Sequence, residues 1–217
     1  SQEAEMDDQR VTVSYYAEPG PQNTEATLAA ARARAEALGL RDVVVATDTG
    51  KTARAALAAF GAPFRVVAVS NPPGVALPLG RLHDYLPRFR EHRAGLVRQG
   101  VVKVPCSLTV EQAAELQQAG TTVLRVDWKG IQAFTKMDLR SMERIGVGVR
   151  VAVCCALTAV LAKAVPAGED VVALAGTGFG GGGADTAVVL RTAAAWRDWR
   201  VLETLARPRE SPPSEGG

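Results

Sequence analysis

A short loop of hydroxyls, one glycine and one lysine follows an apolar segment early in the chain. The segment Val43–Ala46 is rich in β-branched residues, which is typical of a buried strand, and the loop Asp48–Thr52 continues from Thr47. An alanine-rich helical segment comes next. This order places backbone N–H groups, hydroxyls and a cation at a helix N-terminus, where the helix dipole also favours negative charge. The chemistry that it favours is the binding of a phosphate or another anion.

The Gly-Lys-Thr triplet of this loop matches only half of the nucleotide-binding P-loop. The full pattern requires another glycine five positions before Gly50, where the chain has Val45. The loop is also too short to wrap a triphosphate. We therefore expect it to hold one phosphate group, and we do not expect hydrolysis of a nucleoside triphosphate.

The candidate phosphate ligands are the hydroxyls of Thr47, Thr49 and Thr52, the backbone of Gly50 and the charge of Lys51. Charge-assisted hydrogen bonds contribute roughly 1.5–3 kcal/mol each, and the cost of association offsets much of that. A specific ligand therefore needs a second contact surface. Helix capping by the threonines, with the lysine in solvent, explains the same residues without a ligand.

A second loop, rich in glycine, lies between two strand-like segments near the end of the chain. It formally contains the G-x-G-x-x-G pattern, but a strand-like segment follows where a dinucleotide-binding fold requires a helix. Its unhindered N–H groups can still fold over an anion. The candidate contacts are the backbone of Gly176, Thr177 and Gly178, the ring of Phe179, and Asp185, which either fixes the loop or binds ligand hydroxyls. A surface hairpin without a ligand is the alternative.

Asn23 and Thr24 form a third group of candidates, because they open the first predicted helix. In a parallel α/β arrangement this helix starts at the same edge of the sheet as the first loop. Contact with the ligand and simple helix capping are both consistent with these residue types.

Alternation of strand-like and helical segments at the start of the chain gives the order β-α-β-α-β, which is typical of a parallel sheet with helices on its faces. The middle, 71–126, is less regular and is predicted as a long loop over 71–82 followed by short elements. Two helices and two strands are predicted after it, over 128–143, 147–165, 170–175 and 186–191.

The predicted organisation is a flexible N-terminus over 1–10, one α/β domain over 11–206 and a disordered tail over 207–217, where Pro, Ser, Glu and Gly dominate. The polar N-terminus lacks the apolar core of a signal peptide. A net charge of +2 is too small to favour binding of nucleic acid or a membrane surface.

The apolar segment Val147–Val165 is interrupted by Arg150 and Lys163, so we expect a buried helix rather than a membrane span. A homo-oligomer interface is the alternative use of this segment. The adjacent Cys154 and Cys155 lie within it and are expected to be inert core thiols, consistent with a reducing cytoplasm. Two histidines in the chain leave little basis for a metal site, and none is predicted.

Four motifs resemble a small prokaryotic family of stand-alone domains whose fold is that of the pyruvate kinase C-terminal domain. The resemblance runs from about Val11 to about Thr192, with specific motifs near the two ends. The motifs occur in chain order as Pro19–Leu28, Val43–Ala53, Gly168–Ala173, and Gly176–Gly178 with Ala184–Ala187.

The resemblance implies a three-layer α/β/α domain whose mostly parallel sheet has one antiparallel edge strand. In pyruvate kinases this domain is regulatory, and a hydroxyl-and-glycine loop similar to 47–52 holds the effector phosphate. Some stand-alone members are associated with flavin mononucleotide (FMN). The pyruvate kinase catalytic barrel has no counterpart in this sequence, so that activity is not expected.

The first hypothesis for function is therefore binding of a phosphorylated small molecule, with FMN as the cofactor that the resemblance favours. The second is an enzyme, either a flavin-dependent oxidoreductase or a phosphatase-like protein, although the sequence contains no clear nucleophile–base pair. The third is a regulatory or structural subunit without a small ligand.

Overall fold

A seven-stranded sheet forms the centre of the protein. The computed structural model describes residues 10–79, 87–177 and 183–209, apart from the side chains of 87–90 and 92. A separate two-stranded sheet contains β4 and β5. The strands are β1 (Ser14–Tyr16), β2 (Asp42–Ala46), β3 (Arg65–Ser70), β4 (Ala76–Pro78), β5 (Lys103–Pro105), β6 (Thr122–Arg125), β7 (Asp170–Ala175), β8 (Thr186–Arg191) and β9 (Arg200–Pro208).

The main sheet has the order β1-β9-β8-β7-β2-β3-β6. Its neighbours are parallel except where β8 meets β7 and β9. The expected mostly parallel sheet with one antiparallel strand is thus confirmed. In this chain the antiparallel strand β8 is internal rather than at the edge, because β9 and β1 extend the sheet beyond it.

Helices cover both faces of this sheet, which confirms the three layers. The sequence of β2 shows how the layers form, since successive side chains of a strand point to opposite faces. Val43 and Val45 pack with α1, α2 and α4, whereas Val44 packs with α5 and α6. The helices are α1 (Thr24–Leu38), α2 (Lys51–Phe60), α3 (Pro87–Arg98), α4 (Val110–Gln118), α5 (Trp128–Thr135) and α6 (Val147–Leu161).

Helix α6 is a core helix, since eleven of its fifteen residues are buried. Cys154 and Cys155 are both buried within it, and burial raises the pKa of the Cys154 thiol to about 11. The core therefore accounts for the apolar composition of this segment, which an oligomer interface could also have explained. No helix in the described part of the chain is long and apolar enough to cross a membrane.

Several predicted boundaries differ from the structure. The predicted helix over 128–143 ends at Thr135, because Lys136 adopts a left-handed backbone conformation (φ 52°), and a 3-10 helix follows at Leu139–Arg144. The predicted loop over 71–82 contains β4. Strand β9 reaches Pro208, two residues into the predicted tail. Residues 1–9 and 210–217 lie outside the described residues.

Two bidentate ion pairs join neighbouring strands at the amino edge of the sheet, where β2, β3 and β7 begin and β8 ends. The Asp42 carboxylate on β2 accepts from the Arg65 guanidinium on β3, at 2.6 and 2.8 Å. Asp170 on β7 accepts from Arg191 on β8, at 2.8 and 2.9 Å. The opposite edge, where β2 and β7 end, carries the candidate loops.

Candidate functional site

The two candidate loops begin side by side. Strands β2 and β7 are parallel neighbours, with Val45 opposite Leu174. Each strand ends one residue further on, so Thr47 and Gly176 are the first residues beyond the sheet. Neighbouring strands lie about 5 Å apart. The structure therefore brings together the starts of two loops that are 129 positions apart in the sequence.

The chain leaves these two strands in opposite directions. After β2 it passes through α2 to β3 on one side of β2, and after β7 it passes directly to β8 on the other side of β7. Diverging connections of this kind leave a crevice outside the carboxyl ends of the strands, where open α/β sheets bind their ligands. This crevice between β2 and β7 is the candidate site.

The hydroxyl of Thr47 is used in folding the first loop. Its Oγ1 accepts a hydrogen bond from the Gly50 N–H at 3.1 Å, and its own N–H donates to the Val69 carbonyl at 2.9 Å. Thr47 is 5% exposed. The capping interpretation therefore describes Thr47 well, and the N–H of Gly50 is already occupied.

Gly50 turns the loop into α2 with a left-handed backbone (φ 81°), a conformation that residues with a Cβ rarely adopt. Helix α2 starts at the next residue, so its first N–H groups have no partner within the helix and face the crevice edge. Lys51 is exposed, Thr49 is half-buried and Thr52 is buried. The expected hydroxyls and cation thus lie at one helix N-terminus.

Arg54 adds a second cation that the sequence reading missed. Its Nη2 donates to the carbonyl of Thr49 at 3.3 Å, and its Nη1 lies 3.6 Å from Glu115 Oε2. A Cβ placed on Gly50 would lie 3.1 Å from Arg54 Nη1, so the guanidinium lies directly over the loop. The sequence signal that could have identified Arg54 is its spacing. Residues three apart on a helix are neighbours, and Arg54 lies three positions after Lys51.

Asp48 lies between the two loop threonines with a half-buried carboxyl group. Burial raises the pKa of this carboxyl to about 6. Its negative charge contributes, after burial itself, to the raised pKa of the Cys106 thiol. This carboxylate was not among the predicted site residues, although it lies within the predicted loop.

The second loop is held by Asp185, which is fully buried. Its Oδ2 accepts from the Gly20 N–H at 2.8 Å, the Thr177 hydroxyl at 2.6 Å and the Thr177 N–H at 3.4 Å, while its Oδ1 accepts from the Thr186 hydroxyl at 3.0 Å. Burial raises the pKa of Asp185, and these hydrogen bonds oppose the rise. Of the two predicted roles, fixing the loop is the one that this geometry supports.

Thr24 ties the start of α1 to the same loop. Its Oγ1 accepts from the Ala184 N–H at 3.1 Å. Asn23 precedes the helix, but its side chain makes no cap; its amide donates to the Glu18 carbonyl at 2.7 Å. Thr24 therefore helps to position the second loop, whereas the Asn23 side chain contacts only the segment before α1. Gly176 is half-buried and Thr177 is buried, whereas Gly178 and Phe179 lie outside the described residues.

The N-terminus of α6 also reaches this edge of the sheet. Gly148, in its first turn, packs so closely on Thr186 that an added Cβ would lie 2.6 Å from the threonine Cβ. Helices α1, α2 and α6 thus all begin near the ends of β2 and β7, so their dipoles together favour negative charge there. Among the described residues, no group of three or more His, Cys, Asp or Glu side chains could hold a metal ion.

Residues 25–190 match the family model of the pyruvate kinase alpha/beta domain. The chain belongs to this family. The matched range includes both loops of the crevice, all of strands β2 to β7, and β8 except for its last residue, Arg191. Comparison with curated proteins finds no match. The family membership confirms the resemblance and the fold that it implied.

Proposed function

We propose that the protein binds a phosphorylated small molecule in the crevice between β2 and β7, and that this molecule is FMN. The observation that carries the proposal is the divergence of the two loops from neighbouring strands, which opens the crevice where the first turn of α2 begins. The proposal is one of binding, and it requires no reaction.

The phosphate would lie against the first turn of α2. Its donors would be the free N–H groups of that turn and the hydroxyls of Thr49 and Thr52. Lys51 and Arg54 supply two positive charges on the same face of the helix. Because charge-assisted hydrogen bonds contribute roughly 1.5–3 kcal/mol each, two or three of them account for a weak phosphate site, and other parts of the ligand must supply the remaining affinity.

FMN has the parts that such a site requires, namely one phosphate for the helix N-terminus and further groups that supply the remaining affinity. Its one terminal phosphate matches a loop that is too short for a triphosphate. Its ribityl chain offers hydroxyls to the polar groups of the crevice, and its ring offers a large apolar surface, for which Phe179 is the proposed partner. The resemblance to stand-alone family members associated with FMN supports the same choice. Three free, buried cysteines support a location in the reducing cytoplasm.

The first test is a visible absorption spectrum of freshly purified protein, with mass spectrometry of any small molecule released on denaturation. A flavin band and the mass of FMN are expected. Titration of ligand-free protein with FMN, followed by quenching of flavin fluorescence, then gives the affinity. A protein that is colourless, releases no phosphorylated molecule and leaves flavin fluorescence unchanged contradicts the proposal.

Variants test whether the phosphate lies where we place it. Lys51→Ala and Arg54→Ala are each expected to weaken FMN binding about tenfold or more, since each removes a charged donor. Lys129→Ala is the matched control, because Lys129 is an exposed lysine in the first turn of another helix, α5. If Lys51→Ala and Arg54→Ala bind FMN as tightly as the control Lys129→Ala does, the phosphate lies elsewhere.

A further inference from the structure

The carboxylate that the sequence offered for ligand hydroxyls is already occupied. All four hydrogen bonds to Asp185 come from the protein itself, and the side chain is fully buried. Removing these bonds would release the second loop from Gly20. A ligand with hydroxyl groups therefore needs another acceptor in the crevice.

Asp48 is the acidic residue of the first loop, and the surroundings of its carboxyl group differ from those of Asp185. Within 10–79, 87–177 and 183–209, no hydrogen bond or ion pair reaches this carboxyl group. Yet it is half-buried, and a partly buried carboxylate without a partner is unfavourable. Such a group is stabilised when a donor arrives, and a ligand hydroxyl is a donor.

The position of Asp48 also fits the crevice. It follows Thr47, the first residue beyond β2, and its charge affects the pKa of cysteine thiols in two different parts of the fold. Its charge contributes to the raised pKa of Cys106, which precedes α4, and to that of Cys155 in α6, although burial is the larger cause for both thiols. The carboxyl group therefore lies near enough to both elements for its charge to act on their thiols.

We infer that Asp48 accepts hydrogen bonds from ligand hydroxyls close to the phosphate, so that the site selects phosphate monoesters of polyols over inorganic phosphate. This inference rests on the proposed function, since it assumes that the phosphate lies at the start of α2. The ribityl chain of FMN is one polyol of this class.

Chain geometry supports the selection. Asp48 is two residues before Gly50, so their Cα atoms are at most about 7 Å apart. At that separation the carboxylate repels an anion bound at the helix N-terminus, and inorganic phosphate gains nothing in return. A polyol phosphate carries hydroxyls within reach of the carboxylate, and their hydrogen bonds to a charged acceptor offset the repulsion.

The experiment compares two probes by isothermal titration calorimetry at pH 7.5, where Asp48 is ionised. The probes are ribitol 5-phosphate and inorganic phosphate, added to ligand-free protein. Asp48→Ala is expected to weaken ribitol 5-phosphate about tenfold or more, and to leave inorganic phosphate unchanged or bound more tightly. Asp198→Ala is the matched control, because this aspartate is exposed and lies between the amino-edge ends of β8 and β9.

Three further results separate the inference from the proposed function. If Asp48→Ala changes both affinities equally or changes neither, while Arg54→Ala still weakens inorganic phosphate, the inference is wrong and the phosphate site stands. If binding of the probes does not depend on Arg54, the proposed function fails and the inference fails with it. If neither probe binds the wild-type protein, the inference is wrong, and the FMN titration decides the proposed function separately. Asp48→Asn, which keeps the shape of the side chain, gives the same comparison should the alanine variant fold poorly.

Discussion

Replacing Asp48 by asparagine is expected to stabilise the ligand-free protein at neutral pH. Burial raises the pKa of this carboxyl from its ordinary value of 3.8 to about 6. The folded state therefore holds a proton that the unfolded state has released between these two values. The stability that this difference provides is complete below pH 3.8 and is lost as the pH rises towards 6.

The size of the effect follows from the same values. One pKa unit corresponds to about 1.4 kcal/mol, so a rise from 3.8 to about 6 sets an upper value of about 3 kcal/mol for the cost of ionised Asp48. Because the side chain is half-buried and water screens part of the charge, we expect Asp48→Asn to gain about 1–3 kcal/mol at pH 7.5. Near pH 4 the gain should be close to zero.

Urea unfolding of ligand-free protein, followed by circular dichroism at pH 4 and pH 7.5, measures this difference. Asp198→Asn is the control, since its side chain is 58% exposed and neutralising it should change stability little at either pH. The reasoning is refuted if Asp48→Asn is no more stable than wild type at pH 7.5, or if its gain is the same at pH 4. Such a result would mean that the ionised carboxylate is as well solvated in the fold as in the unfolded chain.

Two further predictions concern the contacts that hold the crevice in shape. Asp185→Asn should destabilise the protein by about 2–4 kcal/mol, because an amide places a donor against hydroxyl and N–H donors; faster hydrogen exchange at the Gly20 amide would show the released contact, and unchanged exchange would contradict it. Gly148→Ala should cost about 1–3 kcal/mol through overpacking against Thr186, seen as a lower Tm. Pairing it with Thr186→Ala should recover part of the loss, and a Tm equal to that of wild type would count against the close contact.

Much of the fold could be predicted because its early elements have strong local signals. The β-branched residues of Val43–Val45 predict a strand buried on both faces, and each of the three is 0% exposed. Gly39 ends α1 in the left-handed conformation that a C-terminal glycine favours. Strand β9 was missed because its first residues are exposed and polar residues interrupt its apolar pattern, so only its pairing with β8 and β1 defines it.

The candidate site was predicted in part, and the missing part depends on long-range contacts. The first loop is local, so the positions of Gly50 and Lys51 at the start of α2 follow from the sequence. The role of Asp185 depends on Gly20, 165 positions away. No local pattern could separate loop fixing from ligand binding for this carboxylate, nor show that Asp48 would be left without a partner among the described residues.

The parallel pairing of β1 with β9 has a practical consequence for labelling the protein. Tyr16 lies opposite Pro208, and the Arg209 N–H donates to the Tyr16 carbonyl at 2.8 Å. Strand β9 therefore ends at the carboxyl edge of the sheet. It lies three strands from β2, which corresponds to roughly 15 Å. Because β1 is parallel to β9, it begins at the opposite, amino edge of the sheet. A fluorophore attached at position 209, which is exposed, would thus lie within energy-transfer range of a flavin in the crevice and would report its binding directly.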